Sequence, residues 1–161
     1  MATTAASSTT RKTLFLGLDG VMHHTKSKVS GLLSRMPMLE EALGTADVDI
    51  VMLSCWGAGD DIEGMKKVFP LSLRSRVVGR TKEVPGSVYK RHKEIQNWLR
   101  PVHWPDWRAL DVDPLDYPDD CTELIPCSPY LGMGSAQAHT VRMWTMAPAP
   151  QPPDLWHLYP H

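Results

Sequence analysis

The stretch LFLGLDG at residues 14–20 decides the fold of this 161-residue chain. Its first five residues are almost wholly apolar and are followed by Asp19-Gly20, which is typical of a strand that is buried on both faces of a parallel sheet and ends in a loop. A similar run over Val48–Leu53 leads to Ser54, and another over Trp107–Asp111 ends in an acidic side chain. We therefore expect several buried strands that each deliver a polar group at the carboxyl end.

Helical patterns separate these strands. Pro37 suits the first turn of a helix that stops near Gly44. Further helices are predicted from Asp60 or Asp61 through Phe69 to a stop at Pro70, over Ser87–Leu99 before Pro101, and from a capping Ser135 through Trp144. Two short strands are predicted at Val77-Val78 and Glu123–Ile125. The alternation predicts an α/β fold with a doubly wound, mostly parallel, Rossmann-like sheet and helices on both faces.

Composition sets limits on location and partners. The formal net charge of -1 argues against bulk electrostatic binding of nucleic acid, so none is expected. The three cysteines lack the spacing of a disulfide framework or a zinc site, so a cytoplasmic protein is expected. No apolar run approaches the roughly 20 residues of a membrane span, so no membrane partner is expected. We expect a disordered leader over residues 1–12, one domain over residues 13–146 and a Pro- and Trp-rich tail over residues 147–161.

Polar side chains at the predicted strand ends form a candidate site. Asp19, Ser54, Asp111 and Asp113 all follow strands whose carboxyl ends meet at one edge of the sheet. Each also has a structural interpretation, because an aspartate before glycine shapes turns and a serine or aspartate at a strand end can satisfy backbone groups. Their joint placement favours a pocket.

Four segments carry a resemblance to a known family. LFLGLDGVMH at residues 14–23 matches an opening motif of Asp-x-Asp-Gly except at one position, and VMLSCWG at 51–57 matches a second motif that supplies a hydroxyl. KRHKEIQNWL at 90–99 and ALDVDP at 109–114 follow in the same order. The chain thus resembles the haloacid-dehalogenase-like (HAD) superfamily, and within it the small HAD domain found alone or fused in bacterial RNA-repair proteins. The short gap between the first two motifs implies that no large cap is present.

The resemblance implies a set of roles for individual residues. The first Asp of the opening motif is the nucleophile that forms an aspartyl-phosphate, and here that position is Gly17. Asp19 matches the general acid and base, and Ser54 the hydroxyl that holds a phosphate oxygen. The resemblance assigns the phosphate-binding cation to Lys90 or Lys93.

The same resemblance implies a Mg²⁺ ion held by Asp19, Asp111 and Asp113. Glycine supplies neither a nucleophile nor a bridging carboxylate, so we expect Mg²⁺ to bind weakly or not at all. The sequence does not decide whether the chain is an enzyme.

Three functions remain. The first is a degenerate, phosphatase-like pseudoenzyme that binds a phosphorylated ligand, an RNA end or a protein partner with little turnover. The second is an active Mg²⁺-dependent phosphohydrolase with a nonstandard nucleophile, acting on RNA or nucleotide termini. The third is a pure protein-interaction module. The sequence identifies neither the ligand nor the oligomeric state.

Overall fold

Five parallel strands form the centre of the structure, a computed structural model that describes residues 11–17, 34–54, 62–67 and 69–150. The strands lie in the order β3-β2-β1-β4-β5, and every neighbouring pair is parallel. Their bounds are β1 Lys12–Leu16, β2 Val48–Met52, β3 Val77–Arg80, β4 Asp106–Asp111 and β5 Leu124–Pro126. This order confirms the predicted Rossmann-like sheet, because crossover helices return the chain to the same edge each time.

Helices cover both faces of this sheet. They are α1 Met36–Leu43, α2 Ile62–Lys66, α3 Leu71–Arg74, α4 Lys90–Leu99 and α5 Ser135–Met146, with a short 3-10 helix over Pro114–Asp116. Leu14 and Leu16 of β1 point into a core shared with α1 and α5. Phe15, between them, points into the opposite core, which contains Ile95 and Leu99 of α4. The alternation of side chains along a strand explains why both faces of β1 are apolar.

The predicted helix bounds need three corrections. The segment expected to run from Asp60 or Asp61 through Phe69 is helical only from Ile62, where the described part of it begins, to Lys66, and Pro70 lies directly before α3 instead of ending a helix. The helix expected from Ser87 begins at Lys90, after Tyr89 adopts a left-handed φ of 55°. The last helix is capped by Gly134 and not by Ser135. The backbone conformations of Tyr89 and Gly134 account for the second and third corrections.

The register of the sheet aligns the strand ends. Leu16 pairs with Met52 on one side and with Leu110 on the other. The ladder continues one residue further, because Gly17 N–H donates to the Leu110 carbonyl at 2.9 Å and Thr81 N–H to the Met52 carbonyl at 2.9 Å. Residues that follow the strands therefore meet at one carboxyl edge.

Both ends of the chain extend beyond the described residues. β1 begins at Lys12, the last residue of the predicted leader, while residues 1–10 and 151–161 lie outside the described residues. No cap domain is present among the described residues, which leave out 18–33 and 55–61. None of the helices in the described ranges has the length and apolar content needed to cross a bilayer.

Candidate functional site

Gly17 lies against Asp111 at the centre of the carboxyl edge. A Cβ atom added to Gly17 would be 3.1 Å from Asp111 Oδ1 and 3.4 Å from the Leu110 carbonyl oxygen. A side chain at this position would push the Asp111 carboxylate aside by a few tenths of an ångström. Asp111 thus crowds the space that a side chain at position 17 would use.

Asp111 is a buried carboxylate with a short set of partners. Its Oδ1 accepts a hydrogen bond from Val112 N–H at 2.8 Å, and its Oδ2 accepts one from the Tyr117 hydroxyl at 2.8 Å. Burial raises the pKa of Asp111 above its ordinary value, and the Val112 and Tyr117 hydrogen bonds and the Arg91 charge act in the opposite direction. Burial, and then the neighbouring Asp111 charge, also raise the pKa of Tyr117. The tyrosine therefore remains a neutral hydrogen-bond donor.

Ser54 belongs to a second cluster, built around Glu94. The Ser54 hydroxyl lies 2.9 Å from both carboxylate oxygens of Glu94, and the Thr81 hydroxyl donates to Glu94 Oε2 at 3.1 Å. Glu94 has no exposed side-chain surface. A buried carboxylate needs such donors, because an unpaired charge in the interior is strongly unfavourable. The Ser54 proton is thus directed at Glu94 in this structure.

Arg91 joins the two clusters. Its Nη1 donates to Ser54 Oγ at 2.9 Å and to Glu94 Oε2 at 3.1 Å, and its Nε lies 3.8 Å from Asp111 Oδ2. The guanidinium is the natural group for this position, because its planar donors can serve two carboxylates at once. One cation therefore sits between two buried anions.

The two lysines predicted to bind phosphate are placed differently. The Lys90 ammonium lies 3.0 Å from a carboxylate oxygen of Glu83. This hydrogen bond and the positive charge of Lys90 lower the pKa of the exposed Glu83 carboxyl. Lys93 is exposed on α4. Neither lysine appears in the hydrogen bonds that connect Ser54, Glu94 and Asp111. Their role at a phosphate remains a prediction.

The predicted metal ligands are not assembled by the described residues. Asp113 is exposed, and its Oδ1 accepts a hydrogen bond from Leu115 N–H at 3.0 Å, which caps the 3-10 helix. Asp19 lies outside the described residues. Across the described ranges, no group of three or more His, Cys, Asp or Glu side chains could hold a metal ion. One buried carboxylate with the Arg91 guanidinium 3.8 Å away does not make the set of oxygen ligands that Mg²⁺ needs, so this part of the chain does not fit Mg²⁺ by itself.

Four members of the two clusters were missed at the sequence level: Thr81, Arg91, Glu94 and Tyr117. One signal was present for the α4 pair. Arg91, Ile95 and Leu99 recur at intervals of four residues, and Glu94 follows Arg91 by three, so all share the face of the helix that packs on the sheet. For Tyr117 no local pattern distinguishes it from other loop tyrosines.

Comparison with known proteins gives one informative match. The family model described as "HAD domain in Swiss Army Knife RNA repair proteins" matches residues 13–138. No curated protein sequence matches the chain significantly. One solved structure aligns at 11% identity with a TM-score of 0.41, covering 83% of this chain and 80% of the other, and a likeness this remote carries no argument.

Proposed function

Because the chain belongs to the family of HAD domains in Swiss Army Knife RNA repair proteins, we propose that it is a degenerate phosphohydrolase-fold protein. It binds a phosphorylated ligand or partner, such as an RNA end, with little or no ordinary phosphatase turnover. The observation that carries this proposal is Gly17 at the end of β1, where the family resemblance places the nucleophilic aspartate. Glycine has no group that can attack phosphorus.

The neighbourhood of Gly17 supports the lack of turnover. The atom nearest to a Cβ at position 17 is Asp111 Oδ1, and both oxygens of that carboxylate accept hydrogen bonds. The Arg91 guanidinium lies 3.8 Å from Asp111 Oδ2 and attracts its negative charge. These contacts hold Asp111 in its place on β4, and the proposal gives it no role as a replacement nucleophile.

The capacity for binding rests on Ser54 and Arg91. The Ser54 hydroxyl and the Arg91 guanidinium lie 2.9 Å apart at the carboxyl edge, and both are types of group that bind phosphate oxygens. Both also bond to Glu94, so a bound phosphate has to replace part of these contacts. We add Arg91 to the predicted phosphate ligands Ser54, Lys90 and Lys93. HAD domains generally use Mg²⁺, and the proposal requires none for binding.

Hydrolysis of an aryl phosphate in the presence of Mg²⁺ tests the first half of the proposal. We expect no turnover by the natural protein, turnover by Gly17→Asp, and none by Gly17→Asp combined with Asp19→Asn. The double variant matters because Asp19 is the predicted general acid and base. Turnover by the natural protein would contradict the proposal and favour the second function, an active hydrolase with a nonstandard nucleophile.

Gly17→Ala is the matched control for this experiment. It adds the same Cβ against Asp111 without adding a carboxylate, so it reports the steric effect alone. We expect Gly17→Ala to be inactive and to unfold at a temperature similar to that of Gly17→Asp. Failure of both variants to fold would show that position 17 does not tolerate a side chain beside Asp111.

Binding is tested separately by thermal unfolding in the presence of inorganic phosphate. A ligand that binds the folded state alone raises the melting temperature, and the rise continues with the logarithm of the ligand concentration above Kd. We expect a rise at millimolar phosphate that is lost in Arg91→Gln. An unchanged melting temperature would contradict phosphate binding and would favour a pure protein-interaction module.

A further inference from the structure

A groove of about 250 Å³ separates α1 from α5, on the face of the sheet opposite α4. Its floor is apolar and contains Met38 and Ala42 of α1 and Ala138 of α5. Small-molecule sites enclose about 300–1,000 Å³, so this groove is smaller than the usual ligand pocket. A groove with an apolar floor between two helices is better suited to packing against protein. It contains none of the residues that meet at the carboxyl edge.

The two rims of the groove carry opposite charges. Glu41 is exposed on α1, and Arg142 is exposed on α5 beside His139. The other acid of α1, Glu40, accepts a hydrogen bond from the Ser72 hydroxyl. Within the described ranges, neither Glu41 nor Arg142 takes part in an ion pair. The groove therefore has a negative rim on α1 and a positive rim on α5.

Both helices run toward the amino edge of the sheet. The carbonyl of Gly44, which follows α1, accepts a hydrogen bond from Arg76, and Arg76 directly precedes β3. Near the end of α5, the Trp144 indole donates to Asp106 at the start of β4. The carboxyl-terminal ends of both helices thus lie where strands begin. The two helices are therefore parallel to each other.

We propose that this groove is the interface of a homodimer, in which a two-fold axis parallel to α1 and α5 brings α1 of each copy against α5 of the second copy. Glu41 and Arg142 both lie in the half of their helix nearer the amino edge, so this axis places Glu41 of each copy beside Arg142 of the other. The pair forms twice, because a two-fold interface is self-complementary. An axis in the interface plane but perpendicular to the helices would instead bring like charges together.

One exposed apolar side chain extends this surface. Met146 is 68% exposed and lies one turn beyond Arg142 and two turns beyond His139, so it shares their stripe of α5. The formal net charge of -1 opposes self-association only weakly. The two helices are about 12 Å and about 18 Å long, so the buried surface is at the small end of the range for protein interfaces. We therefore expect a weak dimer.

Sedimentation velocity of the full chain, from about 1 μM to about 1 mM, tests the interface. We expect a monomer–dimer equilibrium. Glu41→Arg and Arg142→Glu each bring like charges together at both pairs, so each should raise the dissociation constant at least about tenfold. Lys67→Glu is the matched control, because it makes the same change in net charge as Arg142→Glu on an exposed residue elsewhere. It should leave the association unchanged.

A mixture of the two single variants identifies the contact. In a mixed dimer of Glu41→Arg with Arg142→Glu, both pairs again join opposite charges, so mixing should restore the association that each variant has lost. A pair within one chain cannot be restored in this way. A dimer that both substitutions leave intact, or a mixture that stays monomeric, overturns the proposal. A natural protein that is monomeric throughout the range also overturns it, in favour of a different protein as the occupant. None of these outcomes bears on phosphate binding at Ser54 and Arg91.

Discussion

Asp111 shows how a single residue depends on the donors around it. The residue is only 6% exposed, and the hydroxyl of the buried Tyr117 donates to one of its carboxylate oxygens at 2.8 Å. A buried carboxylate that loses a donor keeps the full cost of its lost hydration. The Tyr117 hydroxyl therefore contributes to stability mainly through its hydrogen bond to Asp111. The ring also packs in the core on the α4 face of the sheet.

Tyr117→Phe should lower the free energy of unfolding by about 1–3 kcal/mol at pH 7, because the ring is kept and only the hydroxyl donor is lost. The hydroxyl supports the ionised form of Asp111, so this contribution is present when Asp111 is ionised and decreases as pH falls through the raised pKa of that carboxyl. Urea unfolding at pH 8 should thus show a larger loss than at pH 4. Tyr130→Phe, at an exposed tyrosine, is the control and should have no effect.

At the scale of elements, β3 and α4 approach closely at one point. Gly79 lies in β3, and three ring atoms of Trp98 in α4 are 2.4–3.3 Å from the place where its Cβ would be. A methyl group at residue 79 would therefore overlap the indole ring of Trp98. The absence of a side chain at residue 79 therefore sets how near this helix can lie to the edge of the sheet.

Gly79→Ala should destabilise the protein by about 1–3 kcal/mol through overpacking against the indole. Trp98→Phe removes the outer ring of the indole, so the double variant Gly79→Ala with Trp98→Phe should lose less stability than the sum of the two single variants. Urea unfolding of all four proteins gives the interaction free energy. Simple additivity would show that the contact does not limit the approach of α4.

At the scale of the whole molecule, a polar cluster lies at the amino ends of the strands, opposite the candidate site. Lys12 of β1 pairs with Asp106 of β4 at 2.5 Å, and the Trp144 indole N–H of α5 donates to Asp106 at 2.8 Å. The Lys12 ammonium also lies 5.4 Å from the centre of the Trp144 ring. The first strand, a central strand and the last described helix are thereby joined.

Trp144→Phe should reduce the free energy of unfolding by about 2–3 kcal/mol, because it leaves an Asp106 oxygen without its indole donor and creates a small void. The whole sheet should still unfold in one cooperative transition, because small single domains usually unfold in this way. Chemical denaturation measures both the free energy of unfolding and the cooperativity of the transition. Trp104→Phe is the control, because Trp104 is about half exposed, and it should change the stability by less than about 0.5 kcal/mol.

Much of the fold follows from the sequence because its strands are buried on both faces. Such strands require unbroken apolar runs, and these runs end in polar residues at the carboxyl edge, so the predicted strands at Val48–Leu53 and Trp107–Asp111 agree with β2 and β4 to within a residue. Helix boundaries were less predictable. The start of α4 depends on the left-handed conformation of Tyr89, for which the sequence has no glycine or proline signal.

The sequence by itself determined the α/β class, the family resemblance and the presence of glycine at residue 17. Only the tertiary structure decided which side chains meet at the carboxyl edge. The rotation of α4 against the sheet turns Arg91 and Glu94 inward, and leaves Lys93 exposed. The register of β1 against β4 places Asp111 beside Gly17. Both depend on packing between segments that are distant in the chain, and local residue patterns do not encode such packing.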